Sequence, residues 1–194
     1  DSGYINPDYG VVIYRDMLVG GTGKLGPKHI GSWISIKDLI AIMLTYSDNS
    51  AANILLDQVG GLEQVNLTME NLGLSRTRLN RRLMDTYAMN QDIENYTTAE
   101  DMGKLLEAFT KLNIDELLLK PQKEGMELYL PETCNVYHQV GVLSKTYNDA
   151  GIIRGRSSHF ILVVLSNGTT NDVSKSVIGK IAQSVYEDLE REKK

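Results

Sequence analysis

The sequence predicts an α+β fold, with a helical stretch followed by a small antiparallel sheet and one covering helix. Through most of the first 130 residues, apolar residues recur at spacings of three and four, which is typical of helical core faces. After Pro131 the pattern changes to short β-rich runs between turns, and an amphipathic segment ends the chain. We expect a single domain, residues 1–194, with a helical lobe at about 20–130 and the sheet with its helix at about 131–194.

Three helices are predicted in the first half of the chain. The first begins at a capping box formed by Ser35 and Asp38, and the third ends before Gly73. A polar break separates the first helix from the second, and because Ser, Asp and Asn are favoured helix caps, this break taken alone predicts only a cap. The first helix is predicted at Ser35–Tyr46 and the third at Leu62–Leu72. The second is predicted to run from the polar break at Ser47–Ser50 to Gly60.

The segment from Ser75 to Thr97 carries four arginines and no sustained period, which predicts a long ordered surface loop. A short helical turn is expected within it at Met84–Met89. Thr97 or Thr98 is expected to cap the helix that follows. That helix is predicted at Ala99–Phe109, and another short one at Asp115–Glu124.

Three strands are predicted between Cys134 and Gly168, with turns at Thr146–Asn148 and Arg154–Ser157. A closing helix is predicted at Asp172–Glu192. Its expected buried face consists of Val177, Ile181, Ala182, Val185 and Leu189. A three-stranded sheet leaves the run "HFILVVLS" at a free edge, so we expect further strands from outside this chain to complete the sheet.

Composition excludes several classes of protein. At 42% hydrophobic and 23% charged residues, the chain can bury a core. A net charge of −5 with mixed signs argues against a nucleic-acid partner, which would need clustered Lys and Arg. No apolar run is long enough for a transmembrane segment, and the first residues do not resemble a signal peptide.

Three other apparent sites fail on their residues. The single cysteine, Cys134, fits a turn before a strand better than a catalytic nucleophile. Gly20–Leu25 resembles a phosphate loop but lacks the required spacing and a Ser or Thr after the lysine. The histidines, His29, His138 and His159, are scattered without ligand partners, so no metal site is predicted.

Five segments, in this order and spacing, resemble the class A serine β-lactamases and their penicillin-recognising relatives: "YSDNSAANILLDQVGG", "LGLSRTRLNRR", "ENYTTAEDM", "VYHQVGVL" and "NDAGII". The family signature is Ser-x-x-Lys, then Ser-Asp-Asn, then Lys-Thr-Gly. The resemblance implies the β-lactamase-like fold, a β-lactam or D-alanyl peptide as ligand, no cofactor, and an extracytoplasmic location.

By this resemblance, Ser47 is the relay hydroxyl, Asn49 binds the substrate amide, and Asp48 shapes the turn between two helices. The segment His138–Gly141 occupies the place of Lys-Thr-Gly, because Lys145 falls in the turn beyond that strand. Four consecutive residues are therefore assigned to substrate binding, with the last offering a backbone N–H for an oxyanion hole: Gln139, Val140, Gly141 and Val142. Glutamine and valine replace the lysine and threonine, so an ionic anchor for the substrate carboxylate is lost.

In the long loop, the resemblance places Leu83 where the resistance enzymes have their deacylating glutamate. Asp85 is a nearby carboxylate, but we interpret it as a solvated loop charge. We expect Arg78 or Arg81 to hold the loop through Glu94. Either ion pair with Glu94 would be structural rather than catalytic.

No Ser-x-x-Lys occurs in the 194 residues, and the family places that motif upstream of this region. The nucleophile is therefore expected outside the chain, on an N-terminal segment that would also complete the sheet. Two functions remain open at this point. One is a weakly active or inactive serine hydrolase of β-lactams or acyl-D-alanyl amides, and the other is a non-catalytic module that binds cell-wall peptide or a protein partner.

Overall fold

The computed structural model describes residues 5–112, 114–118 and 123–192. It contains two compact units, Asp1–Thr97 and Thr98–Lys194. Helices and antiparallel strands occur together, so the α+β class is confirmed. The single-domain assignment, with its lobe boundary near residue 130, stays a prediction. None of the described helices is long and apolar enough to cross a membrane.

The first unit consists of a two-stranded antiparallel sheet and four helices. The helices follow the sequence prediction, including the short one in the long loop, whereas the sheet was not predicted. The elements are β1 (Gly10–Val12), β2 (Trp33–Ser35), α1 (Ile36–Tyr46), α2 (Asn49–Gln58), α3 (Gly61–Asn71) and α4 (Thr86–Met89). The predicted capping box is present, since Ser35 Oγ accepts a hydrogen bond from the Asp38 N–H at 3.1 Å.

The core of the first unit lies between α1 and α2. Leu39 and Ala51 are fully buried there, and Ile54 is almost so. They pack with Ile36, Leu55 and Ile13, the last contributed by the segment after β1. Burying aliphatic side chains stabilises the fold by about 1.5–3 kcal/mol each. The α1–α2 pair is thus a firm base for the turn that joins the two helices.

The second unit carries a three-stranded antiparallel sheet with strand order β3-β4-β5. Its elements are α5 (Ala99–Leu112), β3 (Asn135–Leu143), β4 (Thr146–Arg154), β5 (His159–Val164) and α6 (Asn171–Arg191), with 3₁₀ turns at Asp115–Leu118 and Gly125–Glu127. Thr98 is the predicted cap of α5, because its Oγ1 accepts from the Asp101 N–H at 3.2 Å. Of the helix predicted at Asp115–Glu124, only a 3₁₀ turn is seen at its start, and residues 119–122 lie outside the described residues.

The turn predicted at Thr146–Asn148 was wrong by two residues. The hairpin between β3 and β4 turns at Ser144 and Lys145, and Lys145 has a left-handed backbone with φ of +60°. Thr146 already pairs with Leu143 in the ladder. The prediction that Lys145 itself lies in the turn is confirmed.

The predicted buried face of α6 was partly wrong. Val177 and Ile181 are exposed, whereas the buried residues are Ser174, Ile178, Gly179 and Ala182. Apart from Ile178, the inward-facing side chains are small, because the 3₁₀ turn at Gly125–Glu127 packs closely against the helix. A Cβ on Gly179 would come within 3.0 Å of the Gly125 carbonyl oxygen.

The turn between β4 and β5 lies where the sequence predicted it, and Glu190 of α6 binds it. One Glu190 oxygen accepts from the Ser158 hydroxyl at 2.6 Å and from the Ser158 N–H at 3.0 Å. Ser157 donates through its N–H at 3.1 Å and its hydroxyl at 2.8 Å. The Ser158 hydroxyl bond, with the other three, lowers the pKa of Glu190 to about 2.

Candidate active site

The polar turn Ser47–Ser50 connects α1 to α2. Ser47 ends α1 in a left-handed conformation, with φ of +49° and ψ of 45°, and its N–H donates to the Met43 carbonyl. For a residue with a Cβ this conformation costs roughly 1–2 kcal/mol. Such strain at a non-glycine residue persists only where neighbouring contacts hold it, and it is frequent at functional sites.

Asp48 supplies the contacts that hold the turn. It is 1% exposed, and one carboxylate oxygen accepts from the Ala51 N–H at 2.8 Å, which caps α2. The other oxygen accepts from the N–H of Leu25 at 2.7 Å and from the N–H of Lys24. The negative charge also lies at the positive end of the α2 dipole. Asp48 therefore fixes both the helix start and the loop 19–25 beside it.

The loop 19–25 contacts the turn at three further residues, Ser47, Asn49 and Ser50. The Val19 N–H donates to Ser50 Oγ at 2.9 Å. Thr22 Oγ1 donates to the Ser47 carbonyl at 2.8 Å. Asn49 donates from Nδ2 to the Gly20 carbonyl at 3.1 Å and from its backbone N–H to the Thr22 carbonyl at 3.2 Å. This docking was not predictable from local sequence patterns, because the partners are about 25–30 residues apart.

Two of the three glycines in Gly20–Leu25 have a structural explanation. A Cβ on Gly21 would overlap the Asn49 side-chain nitrogen, and a Cβ on Gly23 would overlap the Asp48 carboxylate. Both glycines also have positive φ angles, +82° and +151°. The segment that resembles a phosphate loop is thus glycine-rich because it passes against the polar turn.

The turn leaves two polar groups available to a ligand. Among residues 5–112, 114–118 and 123–192, none makes a hydrogen bond to Ser47 Oγ or to Asn49 Oδ1. Both side chains are half-buried. A hydroxyl can accept one proton while donating another, and an amide oxygen can accept from an N–H. This is the chemistry that the resemblance assigns to Ser47 and Asn49, and those roles stay predictions.

One face of α2 also holds the long loop. Asn53 accepts from the Leu83 N–H at 3.0 Å and donates to the Leu83 carbonyl at 2.9 Å. One turn further along, Asp57 forms an ion pair with Arg82. Asn49, Asn53 and Asp57 are spaced by four residues, so they lie on the same side of the helix. Asn53 and Asp57 were not predicted as site residues, although their polar spacing in an otherwise apolar helix is a usable signal in the sequence.

Of the two candidate arginines, Arg81 contacts Glu94 and Arg78 does not. Arg81 Nε donates to Glu94 Oε2 at 3.1 Å, and the Arg81 side chain is 11% exposed. Arg78 instead pairs with Glu70 at 3.7 Å. Asn95 closes the loop by accepting from the Arg81 N–H at 3.0 Å and donating to the Arg81 carbonyl at 3.2 Å. The base of the loop is therefore fixed at Arg81, and also by the antiparallel backbone bridge between Arg78 and Tyr96.

Neither Leu83 nor Asp85, the two loop residues considered as a general base, is placed by its contacts in that role. Leu83 is 36% exposed and has no ionisable group. Asp85 accepts from the Ala88 N–H at 3.0 Å and so caps α4, rather than being simply a solvated charge. This contact supports a structural role for Asp85.

The second unit carries the four residues assigned to substrate binding. They are consecutive on β3, and each pairs with β4: Gln139, Val140, Gly141 and Val142. Val140 packs against the hydrophobic core of this unit, whereas Val142 is 50% exposed near the strand end. Their proposed contacts with a substrate stay predictions.

A buried His–Asp pair lies next to Gln139. His138 on β3 and Asp149 on β4 are both fully buried in their side chains, with His138 Nδ1 2.8 Å from Asp149 Oδ1. The other Asp149 oxygen accepts from the Met126 N–H at 2.8 Å. Burial, followed by the nearby Glu124 carboxylate, raises the pKa of Tyr147 in the same region. This pair was not predicted from the sequence, because only the strand register brings the two residues together.

Cys134 lies just before β3 and is 7% exposed. Burial raises the pKa of its thiol. A thiol with a raised pKa is a poor nucleophile because the thiolate is the reactive form. This agrees with the interpretation of Cys134 as a structural residue.

Comparison with known proteins matches residues 1–189 to the beta-lactamase enzyme family. A β-lactamase of Bacillus subtilis is 29% identical over 178 residues, which covers 84% of this chain and 58% of that protein. The β-lactamase ROB-1 of Haemophilus influenzae is 35% identical over 83 residues, 42% of this chain and 27% of that protein. The chain thus spans less than two thirds of the length of these relatives.

Solved structures agree in fold. A β-lactamase from Sphaerobacter thermophilus has a TM-score of 0.86 at 23% identity, covering 93% of this chain and 73% of that chain. PBP-A has a TM-score of 0.86 at 18% identity, and the match covers 96% of this chain and 73% of that chain. A leucine-to-glutamate variant of PBP-A, an acyl-enzyme complex with penicillin G, has a TM-score of 0.85 at 18% identity, covering 96% and 74%. With the β-lactamase-like fold confirmed and the family model matching almost every residue, the chain belongs to the β-lactamase enzyme family.

Proposed function

We propose that the full-length protein is a penicillin-recognising serine hydrolase that acylates readily enough to be trapped and deacylates slowly. Its substrates are β-lactams or acyl-D-alanyl peptides, attacked by a serine that lies outside this chain. Acyl transfer of this kind requires a hydroxyl nucleophile, a proton relay to the leaving nitrogen, and a hydrogen-bonding site for the substrate amide. An extracytoplasmic location is part of the same proposal.

The polar turn supports the acylation half of this proposal. The Ser47 hydroxyl can pass a proton to a leaving nitrogen, because it makes no competing hydrogen bond within the described residues. Asn49 is oriented by its bond to the Gly20 carbonyl, which leaves its amide oxygen for a substrate N–H. Asp48 keeps both residues in place from a buried position.

Leu83 is the observation that carries the deacylation half. Asn53 fixes the Leu83 backbone through two hydrogen bonds, so the side chain occupies a defined position in the loop. An isobutyl group cannot take a proton from an attacking water. Water attack on an acyl-enzyme would therefore lack its general base.

Labelling with a fluorescent penicillin tests both halves. The full-length protein should form a covalent adduct whose mass is that of protein plus penicillin, and the adduct should decay slowly. Leu83→Glu should accelerate the decay about 100-fold, within the usual contribution of a general base. Leu83→Gln is the matched control, similar in size to glutamate but unable to act as a base, and should leave the decay unchanged. Equal decay in Leu83→Glu and Leu83→Gln would contradict the role assigned to position 83.

A non-catalytic module is the second candidate, and Gln139 is the observation that favours it. A neutral amide at this position cannot form an ion pair with a substrate carboxylate, and Val140 packs into the core. Absence of any adduct at saturating penicillin would favour this candidate. Conversely, the double variant Gln139→Lys and Val140→Thr should increase the rate of acylation if β3 carries the third motif, and an unchanged rate would show that this motif was misplaced.

A further inference from the structure

A second potential binding site lies beside the polar turn, on the outer side of α1. This feature, the aromatic groove, has a volume of about 500 Å³. It adjoins the turn because Tyr46 precedes Ser47 in the chain and because Asp48 binds the Lys24 N–H. Residues from the loop 19–25, the 3₁₀ turn that follows it, β2 and α1 line it. The proposed acyl-transfer chemistry uses none of these side chains.

Trp33 provides a rigid aromatic surface in the groove. It is 59% exposed, a high value for tryptophan in a folded protein. Gly10 on the neighbouring strand allows the indole to lie against the backbone, since a Cβ there would overlap Cε2, Cζ2 and Nε1 of the ring. An indole supported in this way is held in place while much of its surface remains open. It can stack on a ligand at little cost in conformational entropy.

Tyr46 and Lys24 provide a second, polar surface. Tyr46 is 47% exposed, and Lys24 Nζ lies 4.7 Å from the centre of its ring and 3.5 Å from its hydroxyl oxygen. The cation–π contact fixes the ammonium group, although only weakly at an exposed site. The pair therefore presents ammonium and hydroxyl donors in a defined arrangement.

A carboxylate and an imidazole complete the polar part of the lining. Asp38 contributes a carboxylate, of which one oxygen already accepts from the Ser35 hydroxyl at 2.7 Å. His29 Nδ1 accepts from the Gly26 N–H at 3.1 Å, so a neutral His29 ring carries its proton on Nε2 and can donate there. Donors and acceptors are thus mixed around the indole, with no excess of one charge.

An exposed indole, mixed hydrogen-bonding groups and apolar side chains suit a saccharide. The C–H face of a pyranose ring stacks on an indole, and its hydroxyls both donate and accept hydrogen bonds. The apolar part of the lining, Leu25, Ile34 and Ile42, offers a contact for the methyl of an acetamido group. We propose that the aromatic groove binds an oligosaccharide of N-acetylhexosamine units.

Calorimetric titration of the full-length protein with chitotetraose tests this proposal. Wild type should bind saturably, and Trp33→Ala and Gly10→Val should each bind at least about tenfold more weakly, the second because the new side chain displaces the indole. Tyr87→Ala is the matched control, since Tyr87 is 77% exposed but lies outside the groove, and it should bind as wild type does. Trp33 is the only tryptophan in the 194 residues, so the emission difference between wild type and Trp33→Ala reports on the groove itself.

Several outcomes would overturn the proposal: no saturable binding by wild type, equal affinity of wild type and Trp33→Ala, or equal affinity for cellotetraose, which lacks the acetamido groups. Binding of a tyrosine-rich peptide without saccharide binding, or self-association abolished by Trp33→Ala, would instead assign the groove to another occupant. Penicillin labelling is measured in parallel. Trp33→Ala should keep its adduct, and saccharide binding by a protein that forms no adduct would support the groove while contradicting the proposed function.

Discussion

Replacing Asp48 should destabilise the protein far more than replacing another capping aspartate. In Asp48→Ala, the lost cap of α2 costs about 1 kcal/mol. The N–H groups of Leu25 and Lys24 also lose a charged, buried acceptor, at about 1.5 kcal/mol or more each. The free energy of unfolding should therefore fall by about 4 kcal/mol. Asp85→Ala removes only a cap, that of the short α4, and should cost about 1 kcal/mol.

Urea denaturation of the two variants and wild type measures this difference. Limited trypsin digestion gives an independent measurement, because the loop 19–25 carries a cleavable bond after Lys24. Cleavage there should accelerate in Asp48→Ala and remain as in wild type in Asp85→Ala. Asp48→Asn keeps one acceptor oxygen and should lie between wild type and Asp48→Ala. If Asp48→Ala and Asp85→Ala were destabilised equally, the carboxylate would be acting as a helix cap alone, and its proposed hold on the loop would be refuted.

Three further changes have definite expected results. His138→Leu should lower the free energy of unfolding by about 3 kcal/mol in urea titrations, because it leaves the buried Asp149 carboxylate without its imidazole partner; a loss under about 1 kcal/mol would contradict this. In wild type, the lowered pKa of Glu190 stabilises the folded state above about pH 4.5, and this contribution is lost as the pH falls towards 2. Glu190→Gln should lack this pH-dependent contribution. Identical acid unfolding curves for the variant and wild type would count against it. Asn53→Ala should cost about 2 kcal/mol and increase proteolysis near Leu83, whereas unchanged proteolysis would show that the loop is held elsewhere.

Sequence patterns predicted the polar turn and its helices because the signals there are local. Ser35 with Asp38 and the Ser47–Ser50 break are capping patterns that act within one helical turn. The order of β3, β4 and β5 likewise followed from short runs and turns. The α-helices and the three strands of the second unit were therefore accessible from the amino acids alone, whereas the sheet of β1 and β2 was not.

The partners that hold the site were less accessible because they depend on distant segments. Asn53 contacts Leu83 from 30 residues away, and Asp48 contacts Leu25 from 23. His138 meets Asp149 only through the β3–β4 register, which the misplaced turn would have shifted. The exposed face of α6 was misjudged for a similar reason, because close packing against a 3₁₀ turn selects small residues such as Gly179 over larger apolar ones.

The way Asn53 holds Leu83 has a consequence for how such a protein can change over evolutionary time. Asn53 binds only main-chain atoms, so the loop keeps its path whatever side chain stands at position 83. Scaffold and chemistry are thereby uncoupled at this residue. A protein that retains its acyl group could become one that turns it over through a change at this one site, without first rebuilding the loop around it.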